Sequence, residues 1–320
     1  MLSEDSIIRD LQSIFPQYIG DDAAILPCNK AYNYLLSKDL LVEDIHFRTS
    51  YYGPADLAHK ALHANLSDIA AMGGAPKFVM LGVAIPIIQA EYVKDFLSNF
   101  ANVCQQNSII LIGGDTTSSP DKLYISITAI GEVHKEYIKY RNNARVGDLV
   151  CVAGNLGHAH LGLQALERSI PQLKQFKDAL LRPMAKLEEG AWLGRQGVIT
   201  AIMDVSDGLY IDLSKLCSAS GKGAEIEVSN LVASREFKAA CSILGLDPIT
   251  TMLVGGEDYG LLFTVEPNKY SAISADFRNI FGYELQVMGR ITCDVGVNIR
   301  ENGEVKNLEL NLFTHFGEKI

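Results

Sequence analysis

The sequence predicts a mixed α/β (α+β) protein of two domains, and three observations carry that prediction. The chain has 320 residues, 48% hydrophobic and 21% charged, which is ample for a folded core and suits about two domains. Strand-like and helix-like runs alternate through both halves. Between the halves the chain turns polar, from Arg141 to Gly147, and we place the boundary there, giving domains 1–140 and 141–320.

The elements follow in order. Residues 4–15 read as a first helix with Ser3 as its N-cap. Tyr34-Leu35-Leu36 and Leu40-Leu41-Val42 flank Ser37-Lys38-Asp39 as strand. Leu57, Ala61, Leu62, Leu66, Ile69 and Met72 recur at helical spacing over 55–72, and Gly73-Gly74 and Pro76 stop that helix. Residues 78–85 read as a buried strand, 91–106 as an amphipathic helix, 108–112 as a strand running into Gly113-Gly114-Asp115, and 123–133 as an alternating strand. The second half repeats the pattern. Strands are expected over 148–152, 198–203, 224–228 and 259–265, with helices over 209–220 and 236–244, then a further helix and strands.

Composition excludes several roles. With a formal net charge of −10 and no Lys/Arg cluster, the surface repels nucleic acid and anionic membranes. No apolar run approaches the ~20 residues of a membrane-spanning helix, and the acidic start is no signal peptide. None of the six cysteines pair as CxxC, so free thiols in a reducing cytoplasm are expected. P-loop, protein-kinase, HExxH and GxGxxG motifs are absent. His158 and His160, beside the glycines of 154–157, are read as a solvated helix start rather than as metal ligands.

The informative feature is a recurrent placement of acids directly after apolar or glycine-rich runs. It occurs at Gly20-Asp21-Asp22, Ser37-Lys38-Asp39, Gly113-Gly114-Asp115, Asp204-Val205-Ser206-Asp207-Gly208 and Gly255-Gly256-Glu257-Asp258, with Asp68 near the end of the 55–72 helix. Each alone reads as a turn, and Asp207-Gly208 could simply cap the helix after it. Together they are unfavourable, because a helix C-terminus is already negative and an unpaired charge beside an apolar core is costly. Arg and Lys are scarce in the neighbouring sequence. Hard oxygen donors suit Mg2+, which would also let an acidic site accept ATP.

These blocks, in order and across nearly the whole chain, resemble the thiamine-monophosphate kinase family of the aminoimidazole-ribotide synthetase superfamily. The matching stretches include Lys60-Ala61-Leu62 through Asn65-Leu66-Ser67-Asp68-Ile69-Ala70-Ala71-Met72-Gly73, Gly113-Gly114-Asp115-Thr116-Thr117 and Phe313-Thr314-His315-Phe316. The resemblance implies phosphorylation of thiamine monophosphate to thiamine diphosphate by ATP, through direct in-line transfer with several Mg2+ ions and no phosphoenzyme. It implies a homodimer whose N-terminal sheet domains pair, with ATP and Mg2+ bound by residues 1–140. By position, Asp22, Ser37, Lys38, Asp39, Asp68, Asp115, Asp204 and Asp207 correspond to metal ligands. Gly114, Asp115, Arg141 and Ser206 correspond to ATP contacts, and His46, Glu257 and Phe313 to substrate contacts. No general base is implied. Lys38 stands where the family usually has a hydroxyl, so its ammonium either replaces part of a metal site or points away and leaves only the backbone carbonyl. His158 stands where an acid is common. Two rivals are weighed beside this reading. One is another ATP-using sister enzyme, although neither an N-terminal reactive cysteine nor a cysteine tail is present. The other is a non-catalytic nucleotide- or thiamine-binding regulator.

Overall fold

The computed structural model describes residues 4–312, and Ser3 and Phe313 lie outside them. Helix α1 (Glu4–Ile14) precedes β1 (Ala24–Pro27), β2 (Tyr32–Val42), α2 (Pro54–Ala71), β3 (Ala75–Pro86), α3 (Ala90–Gln106), β4 (Ile110–Ser119) and β5 (Tyr124–His134). These strands make a five-stranded sheet in the order β1-β2-β5-β3-β4, antiparallel except for the β3–β4 pair that α3 connects. Side chains alternate along β5, with Ile125, Ile127 and Ala129 turned to a core shared with Leu57, Leu62 and Leu66 of α2 and Phe96 and Phe100 of α3. The other face of this sheet carries Lys38, Leu40 and Met80 in the open.

The strand expected over 108–112 does not stop at the glycine pair. It begins at Ile110 and runs through Gly113-Gly114-Asp115 to Ser119. Gly114 is where β3 and β4 come closest, since a Cβ there would fall 1.8 Å from the carbonyl oxygen of Leu81. Strand packing therefore demands this glycine, independently of any phosphate.

The second sheet comprises β6 (Leu149–Ala153), β7 (Ile199–Val205), β8 (Gly223–Glu227), β9 (Gly260–Val265), β10 (Gln286–Thr292), β11 (Gly296–Glu301) and β12 (Glu304–Val305), in the order β12-β11-β8-β10-β6-β9-β7. Every residue of β7 and β9 is buried, because helices cover both faces. One face packs on α4 (His158–Glu167), α5 (Lys174–Leu181), α7 (Leu209–Ser220), α8 (Arg235–Leu244) and α9 (Pro248–Val254). The other packs on α6 (Leu187–Arg195) and α10 (Tyr270–Phe281). Glycine interrupts α4 and α6, and α5 and α9 span only 8 and 7 residues, so periodicity reveals them poorly.

Ala70 and Ala71, at the end of α2, sit in the same core as Leu193 of α6 and Ile202 and Phe263 of the second sheet. The last turn of α2 is thus wedged against the C-terminal sheet. That contact brings Asp68 to the end of β7, where Asp204 lies. Among the described residues no single helix is long and apolar enough to cross a membrane. All six cysteines are free, with Cys293 exposed and Cys104, Cys151, Cys217 and Cys241 buried.

Candidate active site

Asp68 projects from the last turn of α2, whose capping N–H at Met72 bonds back to the Asp68 carbonyl at 3.3 Å. Asp22 lies in the turn before β1, and Asp204 near the end of β7. One oxygen from each of these three carboxylates lies within 4.8 Å of the other two. The second oxygen of Asp22, Oδ2, is buried with no hydrogen-bond partner. Ser67 donates to Asp204 at 2.8 Å.

Asp39, on the inner face of β2, belongs to the same electrostatic group. Its neighbour in α2, Asn65, binds β2 directly: the Asp39 N–H donates to Asn65 Oδ1 at 3.2 Å, and the Ser37 hydroxyl donates to the Asn65 carbonyl at 3.3 Å. Burial pushes the Asp39 carboxyl up to about 6 and Asp204 up to about 7, with Asp22 adding to the shift of Asp204. Burial, then repulsion from Asp39, Asp204 and Asp22, holds Asp68 well above the usual carboxylate range. Asp21 rises to about 7 through burial and its neighbour Asp22.

The scarcity of cations in the neighbouring sequence does not hold in space. Arg141 reaches back to pair with Asp22, and its Nε lies 3.4 Å from Asp21. Lys215 of α7 pairs with Asp207 and lies 3.8 Å from Asp212. Lys60 of α2 pairs with Glu257. Arg141 and Lys60 come from segments remote in the chain, so local composition conceals them, whereas Lys215 follows Asp207 on the next helix. Of the central trio only Asp22 has a cation paired to it, and among the described residues no ion pair reaches Asp68 or Asp204.

Two loops from the C-terminal sheet close the site. In the first, the N–H groups of Ser206, Asp207 and Gly208 all donate to Asp212 Oδ2, at 3.0, 3.0 and 3.1 Å. Asp207 does not cap α7. Gly208 occupies the cap with no side-chain bond, and Asp212, reaching back from the first turn, satisfies the loop instead. In the second loop, Glu257 and Tyr259 hold left-handed backbone at φ 64° and 48°. That strain is fixed by the Glu257 N–H on the Ser206 carbonyl at 2.7 Å and the Tyr259 N–H on the Val205 carbonyl at 2.9 Å. Asp258 faces the other way and accepts from the N–H groups that start α4, including Ala159 at 2.9 Å.

The expected site residues therefore divide. Asp22, Asp39, Asp68, Asp204, Asp207, Ser37, Arg141 and Ser206 gather at one junction between the sheets. His46 and Glu257 meet through Lys60, which donates to the His46 carbonyl at 2.9 Å. His46 Nδ1 accepts the Val42 N–H at 3.0 Å, so its neutral ring carries the proton on Nε2. The Lys38 side chain does not join them. Alternation along β2 sends it to the opposite face, where it donates to Ser126 at 2.6 Å and Thr128 at 3.4 Å. A protonated ammonium has no lone pair for a metal in any case. Gly114 and Asp115 stand on β4, three strands from β2, which is about 14 Å at the usual ~4.8 Å spacing. One chain does not bring Asp115 to the trio. His158 is not solvated but packs on Phe176 and Phe237 with ring centroids 5.2 Å away in each case, and burial lowers its pKa. Phe313 lies outside the described residues.

Comparison with known proteins fits this arrangement. The family model for the AIR synthase related protein N-terminal domain matches residues 20–133, and that for the C-terminal domain matches 145–300. The thiamine-monophosphate kinase of Aquifex aeolicus (strain VF5) is 36% identical over 266 residues, covering 81% of this chain and 83% of that protein. That of Synechococcus elongatus is 32% identical, covering 98% and 97%. The chain belongs to the thiamine-monophosphate kinase family. The solved structure "AaThiL complexed with AMPPCP and TMP" superposes with a TM-score of 0.86 at 31% identity, over 98% of this chain and 97% of that one. The thiamine-monophosphate kinase of Stenotrophomonas maltophilia K279a gives 0.77 at 30% identity over 94% and 96%. Hydrogenase maturation protein HypE, at 19% identity and a TM-score of 0.70, shares the fold. The resemblance read from the sequence and the family assignment agree.

Proposed function

We infer that this chain is an ATP-dependent kinase that converts thiamine monophosphate to thiamine diphosphate, releasing ADP. The observation that carries this reading is the convergence of Asp22, Asp68 and Asp204 from three remote segments onto one under-compensated point. The family relationship, and the relative solved with AMPPCP and TMP, supply the substrates. Incubating the protein with Mg2+, ATP and thiamine monophosphate should give thiamine diphosphate and ADP in equal amounts. ADP formed at the same rate without the acceptor would point to plain ATP hydrolysis, and tight ATP binding without turnover to a regulator.

The donor set fits Mg2+. It consists of oxygens alone, includes an orphaned buried oxygen on Asp22, and carries charge that the nearby cations do not neutralise. Asp22, Asp39, Asp68 and Asp204 are the residues we assign to hold it, with Asp207 and the Ser37 hydroxyl at the margin. Bound there, the metal would offset carboxylate and phosphate charge together. The chain's own groups do the rest. Arg141 offers guanidinium N–H donors to a phosphate, and Ser206 is assigned to the same nucleotide. His46 and Glu257 offer polar contacts to the thiamine end, and Phe313 is assigned to the same end as an aromatic cover. The acceptor phosphate is already ionised, so one of its oxygens attacks the terminal phosphorus of ATP while the bond to ADP breaks, and no base is required.

The metal-free carboxylates oppose the fold at neutral pH. A carboxyl raised in the folded state above its ordinary value of 3.8 contributes stability that is complete below that value. The contribution is lost as pH rises through the folded value, about 6 for Asp39 and about 7 for Asp204. A divalent cation removes this loss. The melting-temperature rise on adding Mg2+ should therefore be larger at about pH 8 than at about pH 5. Equal rises would place Mg2+ elsewhere.

We also propose a homodimer. Strand β4 is an open sheet edge exposing Ile110, Leu111 and Ile112 at 58%, 42% and 51%, an arrangement that invites pairing with a second copy. Pairing of the sheets would carry Gly114 and Asp115 toward the partner's site, which accounts for their distance from their own. Asp115→Asn and Asp68→Asn should each be nearly inactive. Mixed and allowed to exchange subunits, they should recover up to about a quarter of wild-type activity, because half the dimers then hold one intact site. No recovery would place Asp115 in cis or outside the site. Six free cysteines suit a reducing compartment, and we place the enzyme in the cytoplasm.

A further inference from the structure

Lys60 is a lysine where the pattern of α2 calls for an apolar residue. Its neighbours Ala58, Ala61 and Leu62 are wholly buried, and its own side chain is 1% exposed. Three groups surround the ammonium. It donates to Glu257 Oε1 and to the carbonyl of His46, and it lies 5.2 Å from the centroid of the Tyr52 ring. A charge this deep persists only when paired. The pairing joins two segments remote from each other, the turn after β2 that carries His46 and the strained loop that carries Glu257.

We propose that Lys60 is a positioning residue for the thiamine end of the substrate, acting through Glu257 and His46. The inference rests on the kinase reading given above. Lys60 does not touch substrate, since its ammonium is enclosed. It fixes one oxygen of Glu257 and leaves Oε2 to accept from an N–H donor such as the amino group of an aminopyrimidine. Because the ammonium offsets the carboxylate charge, Glu257 serves as an oriented acceptor more than as a bare anion. The left-handed backbone at Glu257 stays held by its N–H on the Ser206 carbonyl, so cutting the tether frees the Glu257 side chain and not the loop. Lys60 forms no hydrogen bond or ion pair with the carboxylates assigned to Mg2+ or with Arg141 and Ser206, assigned to ATP, so the effect should fall on one substrate only.

In steady-state assays at saturating Mg2+, Lys60→Met should raise KM for thiamine monophosphate at least about tenfold, with KM for ATP within about twofold of wild type. Glu257→Gln should give the same split, and the double variant should be no worse than the worse single. Equal rises in both KM values, a fall in kcat alone, wild-type constants, or additive losses would each overturn the proposal. Should Lys60→Met lack a melting transition, Lys60→Gln carries the same measurement, since its amide can still donate to the His46 carbonyl. Wild-type protein that forms no thiamine diphosphate would instead sink the underlying kinase reading, before any variant is compared.

Discussion

Asp68→Asn is expected to cut thiamine diphosphate formation by about 10²–10³-fold while leaving the protein folded. Asp68 stands at the negative end of α2, among Asp22, Asp39 and Asp204, and burial with their repulsion raises its pKa well above the ordinary range. A neutral amide of the same shape relieves that repulsion. The metal-free variant should therefore melt no lower than wild type, and about 1 kcal/mol of added stability would be in keeping with such relief. The loss falls on cation binding, so the Mg2+-dependent rise in melting temperature should shrink with turnover. Wild-type turnover would remove Asp68 from the site. Lost turnover with an unchanged response to Mg2+ would assign Asp68 a role other than holding the ion.

The second large effect is expected at Asp212, which touches no proposed substrate position. Its Oδ2 accepts three consecutive N–H groups, from Ser206, Asp207 and Gly208, and its side chain is fully enclosed. Asp212→Ala leaves those donors without their acceptor. At about 1.5–3 kcal/mol for each hydrogen bond to a charged group, discounted for partial replacement by water, a loss of about 3 kcal/mol or more is expected. The loop it holds follows directly after Asp204, presents Ser206 and Asp207, and also anchors Glu257 through the Ser206 carbonyl at 2.7 Å. Turnover should fall by about 100-fold in protein that is still folded, with KM rising for both substrates. Asp212→Asn retains an acceptor oxygen and should recover much of the stability. Denaturant unfolding with parallel kinetics distinguishes the two. If Asp212→Ala unfolds and turns over like wild type, the loop does not depend on this carboxylate.

Much of the fold was legible in the sequence because both core periods are clean. The 55–72 helix and the strand alternation of β5 appear nearly where expected. Helices α4, α5, α6 and α9 were not, since α5 and α9 are short and glycine interrupts α4 and α6. The strand through Gly113-Gly114-Asp115 was read as ending too soon, because a glycine pair signals a break, whereas here Gly114 permits close strand approach. For the site, acids at unfavourable positions pointed to Asp22, Asp39, Asp68 and Asp204, which the fold does bring near one another. Their partners were hidden. Arg141 acts across the chain, Lys215 reaches back from the helix after Asp207, and Lys60 reads as one ordinary lysine on a helix. A lysine at a position where α2 repeats apolar residues was the available signal for Lys60. An acid four residues after a loop glycine, in the first turn of α7, was the one for Asp212. Lys38 shows the opposite limit, because proximity to Asp39 in sequence means opposite faces in a strand.

The account stands on a divalent cation held among carboxylates that the fold brings together. The most direct measurement is an anomalous difference map from crystals soaked with Mn2+ and a non-hydrolysable ATP analogue, using Mn2+ as a visible substitute for Mg2+. The account predicts strong peaks bounded by Asp22, Asp68 and Asp204, with Asp39 in reach, and their disappearance in Asp68→Asn. Nucleotide bound with no peak among those oxygens, or peaks confined to other acids, would contradict it.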